Sequence, residues 1–467
     1  MRVHFIAIGG SVMHNLAIAL ANKGYLVSGS DDFIYEPSRT NLTKNGLMPE
    51  QLGWHPERIT EDINAVVLGM HAKADNPELV RAQELGLQIY SYPAYIYEQA
   101  KDKTRVVVGG SHGKTTITSM IMHVLKELGR SFDYVVGAKL EGFETMVKIT
   151  KDAPLIIIEG DEYLASAIDR RPKFLLYHAN IALISGIAWD HINVFPTYQE
   201  YVEQFKLFIE SIEEKGTLVY NKDDKEVQNL VSNNNSNINK HGYKLPEFTI
   251  NKGVSYLKTS KGEIALQIFG KHNLSNLAGA FTVCEWLGIS REDFYQAIGS
   301  FKGAARRLEY VADYAGSVVY KDFAHSPSKV RASIDAVKEQ YPNSKLVAII
   351  ELHTFSSLNE EFLQEYFDTM KQADEAIVFI DQNSFRQKNI KPIEALTIKK
   401  AFNRDDIIYF NDAQSLEAYI SQLDPQGKNV LFMSSGNFGG INLVNLSDKF
   451  FNFKIIYIFD IVSATIG

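Results

Sequence analysis

The chain has 467 residues, too many for one hydrophobic core, so two or three domains are expected. Its composition, 45% hydrophobic and 22% charged, is that of a globular protein, and a formal charge of -8 argues against a general nucleic-acid binder. Cys284 is the one cysteine, so neither a disulfide framework nor a cysteine-based metal cluster is expected. With no signal-peptide pattern and no apolar stretch of bilayer length, the expectation is a cytoplasmic protein without a membrane partner.

In chain order, residues 3–8 read as a strand, followed by Gly9-Gly10, an apolar helix over 13–21 and a second strand over 25–28 that ends near Asp31. This is a βαβ unit with an acidic residue beyond its second strand, the layout of a nucleotide-binding crossover. Ser11, Val12, Met13 and His14 follow the glycine pair, so the later glycine of GxGxxG is missing. By itself the loop reads equally as a plain turn or as a ligand site.

Residues 105–108 form a β-branched run leading into Gly109-Gly110-Ser111-His112-Gly113-Lys114-Thr115-Thr116. Apolar residues at Ile117, Met120, Ile121, Val124, Leu125 and Leu128 then mark an amphipathic helix. Glycines let successive N–H groups turn toward phosphate oxygens, and a helix N-terminus adds partial positive charge. Lys114 is placed to reach the β- and γ-phosphates, and the Thr115 hydroxyl to ligate Mg²⁺. The spacing departs from the standard P-loop, since Gly110 stands three residues before Gly113 and Val108 five before it.

The apolar run 155–158 ends on Glu159, where α/β folds place ligands, and a hard carboxylate oxygen there suits Mg²⁺; an acidic loop is the plainer alternative. Another apolar run, 181–187, leads to Ala188-Trp189-Asp190-His191-Ile192-Asn193. The Asn-rich stretch 232–239 reads as a solvated loop. Beyond Arg306-Arg307, strands are expected at 346–351, 376–380, 407–410 and 430–433, with helices over 328–340 and 359–372. Strands alternating with helices imply a mainly parallel sheet covered on both faces.

Taken in order, these segments resemble one family. Residues 110–116 resemble the GT(N/H)GKTT loop of the Mur ligases and folylpolyglutamate synthetases, Glu159 their Mg²⁺ glutamate, and Asp190-His191 their metal-binding pair. Gly270-Lys271-His272-Asn273-Leu274-Ser275-Asn276 looks like their adenine-binding G-x-HNxxN motif. Arg306-Arg307-Leu308-Glu309 looks like the opening of their C-terminal domain, and Asp322-Phe323-Ala324-His325-Ser326-Pro327 is similar to D(Y/F)AHxP. Folylpolyglutamate-type chains usually begin without the Gly9-Gly10 domain, so the resemblance is to the Mur ligases.

That resemblance implies an α/β chain of three domains: a Rossmann-like UDP-muramyl domain over 1–101, a P-loop ATPase-like domain over 102–304 and a Rossmann-like domain with a mainly parallel sheet over 305–450. Residues 451–467 form a tail of unclear role. It further implies ATP and Mg²⁺, with ATP held by Gly110, Ser111, His112, Gly113, Lys114, Thr115, Thr116, Asn273, Asn276 and Arg307. The metal would sit on Thr115, Glu159 and His191. Lys206 stands where some members carry a carbamylated lysine, and an ordinary surface lysine is an equal reading. Gly9, Gly10, Ser11 and Asp31 would hold the UDP-sugar, and Lys114, His191, Asp322 and His325 would be catalytic.

The implied reaction activates the carboxylate of UDP-N-acetylmuramate as an acyl phosphate and transfers it to the amine of an amino acid or tripeptide. Residues 162–174 and 433–440 look like the members that attach L-Ala-γ-D-Glu-meso-diaminopimelate, the members that attach L-alanine being the alternative. Glu351-Leu352-His353-Thr354-Phe355-Ser356-Ser357 lacks the arginine of the related EPRSNTM segment. A nucleotide-sugar-binding regulator without turnover is the alternative of another class; Lys114, Thr115, Glu159 and His191 argue against it.

Overall fold

The computed structural model describes residues 1–190, 194–304, 307–388 and 390–451. His191, Arg306 and the tail beyond 451 lie outside the described residues, and with them the expected metal and catalytic roles of His191. The chain divides into two compact units, the first comprising Met1–Ile187, Thr197–Leu245 and Ser275–Ile298, the second Ala188–Pro196, Pro246–Leu274 and Gly299–Gly467. No helix among the described residues is long and apolar enough to cross a membrane.

The first unit holds two sheets. Strands β1 (Arg2–Ile6), β2 (Leu26–Ser30), β3 (Ala65–Leu68) and β4 (Ile89–Ser91) pair in the order β2-β1-β3-β4, all parallel. Helix α1 (Ser11–Asn22) follows β1. The second sheet has seven strands: β5 (Thr104–Gly109), β6 (Asp133–Val135), β7 (Val147–Lys148), β8 (Leu155–Glu159), β9 (Ile181–Ile184), β10 (Thr217–Asn221) and β11 (Asn239–Tyr243). Their order is β11-β10-β9-β5-β8-β6-β7, and only the β6–β7 pair is antiparallel.

In both sheets the strand that precedes a glycine loop, β1 or β5, has neighbours reached by crossovers in opposite directions. Such a switch point leaves a crevice at the strand's carboxyl end. Val106, Val107 and Val108 on β5 and Ile156, Ile157 and Ile158 on β8 have no exposed surface. Helices cover both faces of a parallel sheet, which is why these strands are continuous apolar runs rather than alternating ones.

The second unit carries a small antiparallel sheet, β12 (Phe248–Asn251), β13 (Val254–Thr259) and β14 (Gly262–Leu266). Its main sheet consists of β15 (Glu309–Tyr314), β16 (Ser317–Asp322), β17 (Lys345–Glu351), β18 (Glu375–Phe379), β19 (Ile408–Phe410) and β20 (Lys428–Met433), ordered β15-β16-β20-β17-β18-β19 and parallel except at β15. Along β17 the pleat sends Leu346, Ala348 and Ile350 into one core and Val347 and Ile349 into the other.

One expectation changes and another is trimmed at its ends. The helix expected over 359–372 is short, Glu360–Leu363 followed by a 3-10 turn Gln364–Tyr366, and Asp368 takes a left-handed φ of 57° that ends it. The Asn-rich stretch keeps a loop over 234–238, as expected, and regular elements take only its two ends. Asp224 caps a helix Lys225–Asn233 whose Val227 and Val231, four residues apart, are buried, and Asn239 opens β11.

One arginine ties the start of the central strand to its surroundings. The Arg105 side chain is buried, and its Nε donates to the carbonyls of Tyr177 (3.0 Å) and His178 (2.9 Å). Nη1 reaches the carbonyls of Ala100, Lys101 and Lys103, and Nη2 the Glu213 carboxylate at 3.0 Å. These acceptors end helix Tyr92–Ala100, the 3-10 turn Lys173–Tyr177 and the turn before β10. Arg105→Ala should therefore lower stability by about 3–5 kcal/mol, because several buried carbonyls lose their donor. Arg105→Lys should recover only part, since an ammonium cannot span the fork. Urea denaturation of both variants, with the exposed Arg81→Ala as a control expected within about 0.5 kcal/mol of the parent, measures this.

Candidate active site

The loop from Gly109 to Lys114 joins β5 to α2 (Lys114–Glu127). Gly110 and Gly113 have φ of 131° and 79°, a backbone that L side chains rarely adopt. A Cβ at Gly110 would collide with Ser185 at the end of β9, and one at Gly113 with the Asn276 side chain. The N-terminus of α2 has no side-chain cap and no acidic residue in its first turn. Its free N–H groups and dipole are the elements of an anion site.

Lys114 does not project freely. Its Nζ donates to the Gly110 carbonyl at 2.6 Å and to Glu162 Oε2 at 2.8 Å, and the Glu162 side chain has no exposed surface. Burial alone would push the ammonium's pKa down; the carboxylates of Glu162, Asp161 and Glu159 outweigh it, and the pKa is raised. Glu162 also accepts from Tyr201 Oη at 3.0 Å, and Tyr201 lies 2.8 Å from Ser111 Oγ. The cation is thus fixed by a chain of buried polar groups.

At the next residue, Thr115 Oγ1 donates to Glu159 Oε1 at 2.8 Å, and Gly137 N donates to Glu159 Oε2 at 3.0 Å. Register explains the meeting: Val108 pairs with Glu159 and Gly109 with Ile184, so β5, β8 and β9 end together. Among the described residues no cluster of three or more His, Cys, Asp or Glu suits a metal. Mg²⁺ needs only one or two protein oxygens beside water and phosphate, and the Thr115–Glu159 pair fits that demand.

The first glycine loop is organised differently. Gly9 N donates to Asp31 Oδ2 at 2.7 Å, so the carboxylate beyond β2 is turned onto the loop itself. A Cβ at Gly9 would lie 2.9 Å from that oxygen. Burial raises the Asp31 pKa. Where the sequence departs from GxGxxG, His14 and Asn15 supply cross-links. His14 Nδ1 lies 2.9 Å from the Gly10 carbonyl and 3.0 Å from Ser38 Oγ. Asn15 Oδ1 accepts from Met146 N at 3.0 Å, and Ser11 Oγ lies 3.5 Å from Met146 Sδ.

The second unit has its own cluster. Asp322 at the end of β16 is buried and accepts from Leu308 N (2.8 Å) and Ala324 N (2.7 Å); burial raises its pKa against the opposing Arg307. Arg307 lies over the Phe323 ring at 5.0 Å. His325 contacts the Phe323 carbonyl at 2.8 Å, and burial, reinforced by Lys329, pushes its pKa down to about 3. Lys329 donates to Asp190 Oδ2 at 3.3 Å. Asn273 is buried and donates to the Phe269 carbonyl at 3.0 Å.

Glu162, Tyr201, Gly137 and Lys329 were missed as site residues. Glu162 was legible in principle, since a lysine buried at a glycine loop requires an anion. Lys206 is exposed and paired with Glu203 at 2.7 Å.

The strand–loop–helix unit with its fixed lysine is that of a nucleotide-dependent α/β enzyme. Three family models match: "Mur ligase family, catalytic domain" over 2–104, "Mur ligase middle domain" over 108–284 and "Mur ligase, glutamate ligase domain" over 306–436. The UDP-N-acetylmuramate–L-alanine ligase of Caldicellulosiruptor bescii is 31% identical over 448 residues, 93% of this chain and 95% of that one. The solved UDP-N-acetylmuramate–alanine ligase of Thermotoga maritima shares the fold at TM-score 0.68 and 22% identity, covering 96% of this chain and 98% of that one. The murein peptide ligase of Psychrobacter arcticus shares it at 0.63 and 20%, covering 97% and 99%. The chain belongs to the Mur ligase family of ATP-dependent, ADP-forming ligases.

Two outcomes are expected. Glu162→Gln removes the counter-charge of Lys114 and should lower turnover by about 10–100-fold, with UDP-sugar binding by calorimetry unchanged. His325 has a folded pKa below its unfolded value near 6.5. It therefore leaves native stability undiminished above that pH and lowers it as pH falls toward 3. Melting temperatures between pH 4 and 7 should fall less steeply in His325→Asn than in the parent.

Proposed function

We propose that the chain joins the tripeptide L-Ala-γ-D-Glu-meso-diaminopimelate, through its free amine, to the lactyl carboxylate of UDP-N-acetylmuramate. In this reading residues 1–101 take the UDP-sugar, with Gly9, Gly10, Ser11 and Asp31 at its diphosphate. Residues 102–304 take ATP, and 305–450 take the acceptor. The observation that carries the nucleotide half is the convergence of Lys114, Thr115 and Glu159 on the uncapped N-terminus of α2.

Gly110 to Thr116, Asn273, Asn276 and Arg307 are assigned to ATP. A carboxylate does not take an amine directly, because oxide would have to leave. Its oxygen instead bonds to the γ-phosphorus as ADP departs, and the amine nitrogen then displaces inorganic phosphate from the activated carbonyl carbon. Lys114, held in place by Glu162, balances charge on the transferring phosphoryl group. Mg²⁺, when bound, would offset phosphate charge, and Thr115 and Glu159 are the residues to hold it. Asp322 keeps the 307–324 turn closed, and His325 presents a neutral imidazole.

Support for a peptide acceptor comes from residues 161–174, directly after Glu159. They fold into a tight return in which Leu164 pairs with Pro172, Arg171 with Asp169 (2.7 Å) and Lys173 with Asp161 (2.6 Å). Their sequence is similar to the corresponding stretch of murein peptide ligases. L-alanine is the second reading, favoured by the curated relatives at 28–31% identity over 93% of the chain.

Phosphate release with UDP-N-acetylmuramate separates the two. The tripeptide should exceed L-alanine in kcat/KM by at least ~10-fold. Equal use, or a preference for L-alanine, assigns the second reading. Lys114→Ala should lower turnover by ~10²–10³-fold with UDP-sugar affinity unchanged; near-normal turnover would remove the ATP assignment.

A further inference from the structure

Away from both glycine loops, the first unit holds a cavity of about 790 Å³ between the last turns of α1 and the β6–β7 ribbon. Ile18, the first α1 residue to line it, is about 12 Å along the helix from Gly10 at 1.5 Å per residue. Lys23, Lys126, Arg130, Lys148 and Lys151 line it against one carboxylate, Glu144. The chain as a whole carries a charge of -8, so this concentration runs against its overall balance. Arg130 and Lys151 are exposed, and their side chains have no partner among the described residues. Like charges gathered around a concave surface raise the local concentration of anions.

The lining also holds three aromatic rings. Phe132 and Tyr134 are buried, and the Phe143 ring lies 5.3 Å from Tyr134 and 6.3 Å from Phe132. Lys126 Nζ stands 5.4 Å from the Phe143 centroid and donates to the Gly142 carbonyl at 3.0 Å; Lys148 Nζ stands 6.0 Å from Phe132. The Phe143 ring meets the other two edge to face, at 64° and 76°, and two of the three rings carry a lysine over them, so the lining sets aromatic edges beside cations. The volume falls in the range of small-molecule sites, roughly 300–1,000 Å³.

We propose that this cavity binds a small molecule joining a planar ring to phosphate, the chemistry of a nucleotide, at a place separate from the α2 loop. Its wall is in direct line with the active site. β6 runs on to Gly137, which donates to Glu159, and Met146 of the ribbon holds Asn15 of α1.

Pyridoxal 5′-phosphate is the probe. It carries a ring and one phosphate, and its aldehyde condenses with a lysine amine to an imine, releasing water, which borohydride reduces to a stable amine. The full chain is labelled, digested and mapped by mass spectrometry. Modification of Lys126, Lys148 or Lys151 should exceed that of Lys371, 73% exposed, by at least ~10-fold. It should fall by a similar factor in Arg130→Glu and with excess AMP, and pyridoxal lacking the phosphate should show no preference. Labelling that follows exposure alone, survives Arg130→Glu or ignores AMP overturns the proposal. Unselective labelling together with Arg130-dependent sedimentation on phosphatidylglycerol vesicles would assign the cations to a membrane surface instead and equally overturn it.

Discussion

The pairing of Lys114 with Glu162 governs the geometry of the central sheet's ligand edge. A lysine at the mouth of this glycine loop, only 17% exposed, would lose its proton readily in apolar surroundings. Glu162, fully enclosed and itself held by Tyr201, keeps the charge in place beside the Gly110 carbonyl. The carboxylate can occupy that position because β8 lies beside β5 and ends level with it. The seven-stranded order, the glycine conformations and the return loop 161–174 all meet at this ion pair.

The two glycine loops of the first unit make an instructive contrast. Both leave a central parallel strand at a switch point and enter a helix with no side-chain cap. In the first, a carboxylate from the next strand already occupies the Gly9 amide, so the loop is braced from within. In the second, the carboxylates bind Lys114 and Thr115 rather than loop amides, which leaves the helix N-terminus open to an anion. Similar sequence punctuation thus produces a braced turn in one sheet and an anion-accepting one in the other.

The strands and the glycine loops were legible in the sequence because buried parallel strands are uninterrupted apolar runs, and because glycines mark positions where a Cβ would collide. β3, β4, β6, β7 and β10 to β16 were not read; Glu309–Tyr314, for one, is partly exposed and mixed in polarity and carries no such run. The helix expected over 359–372 stops at Leu363, and beyond it Asp368, left-handed, accepts from Asn403, 35 residues away. Glu162 stood in a motif, but its partner lies 48 residues away. Pairings of that span are decided by sheet order, which residue patterns do not encode. His14 and Asn15 looked like defects in a fingerprint and instead cross-link the loop, a role visible only when Ser38 and Met146 are seen beside them.

The order of the central sheet also constrains the chain during synthesis. β5 emerges early, yet its neighbours β8 and β9 begin at Leu155 and Ile181. Until Glu162 has left the ribosome, the Lys114 amine has no anion to enter the interior with, and α2 cannot settle against the sheet without stranding a charge. Until Ile181–Ile184 follow, one edge of β5 is an unpaired template whose centre, Val106–Val108, is apolar. The nascent chain is therefore exposed to mispairing over that whole interval, and the step that ends it is the arrival of β9.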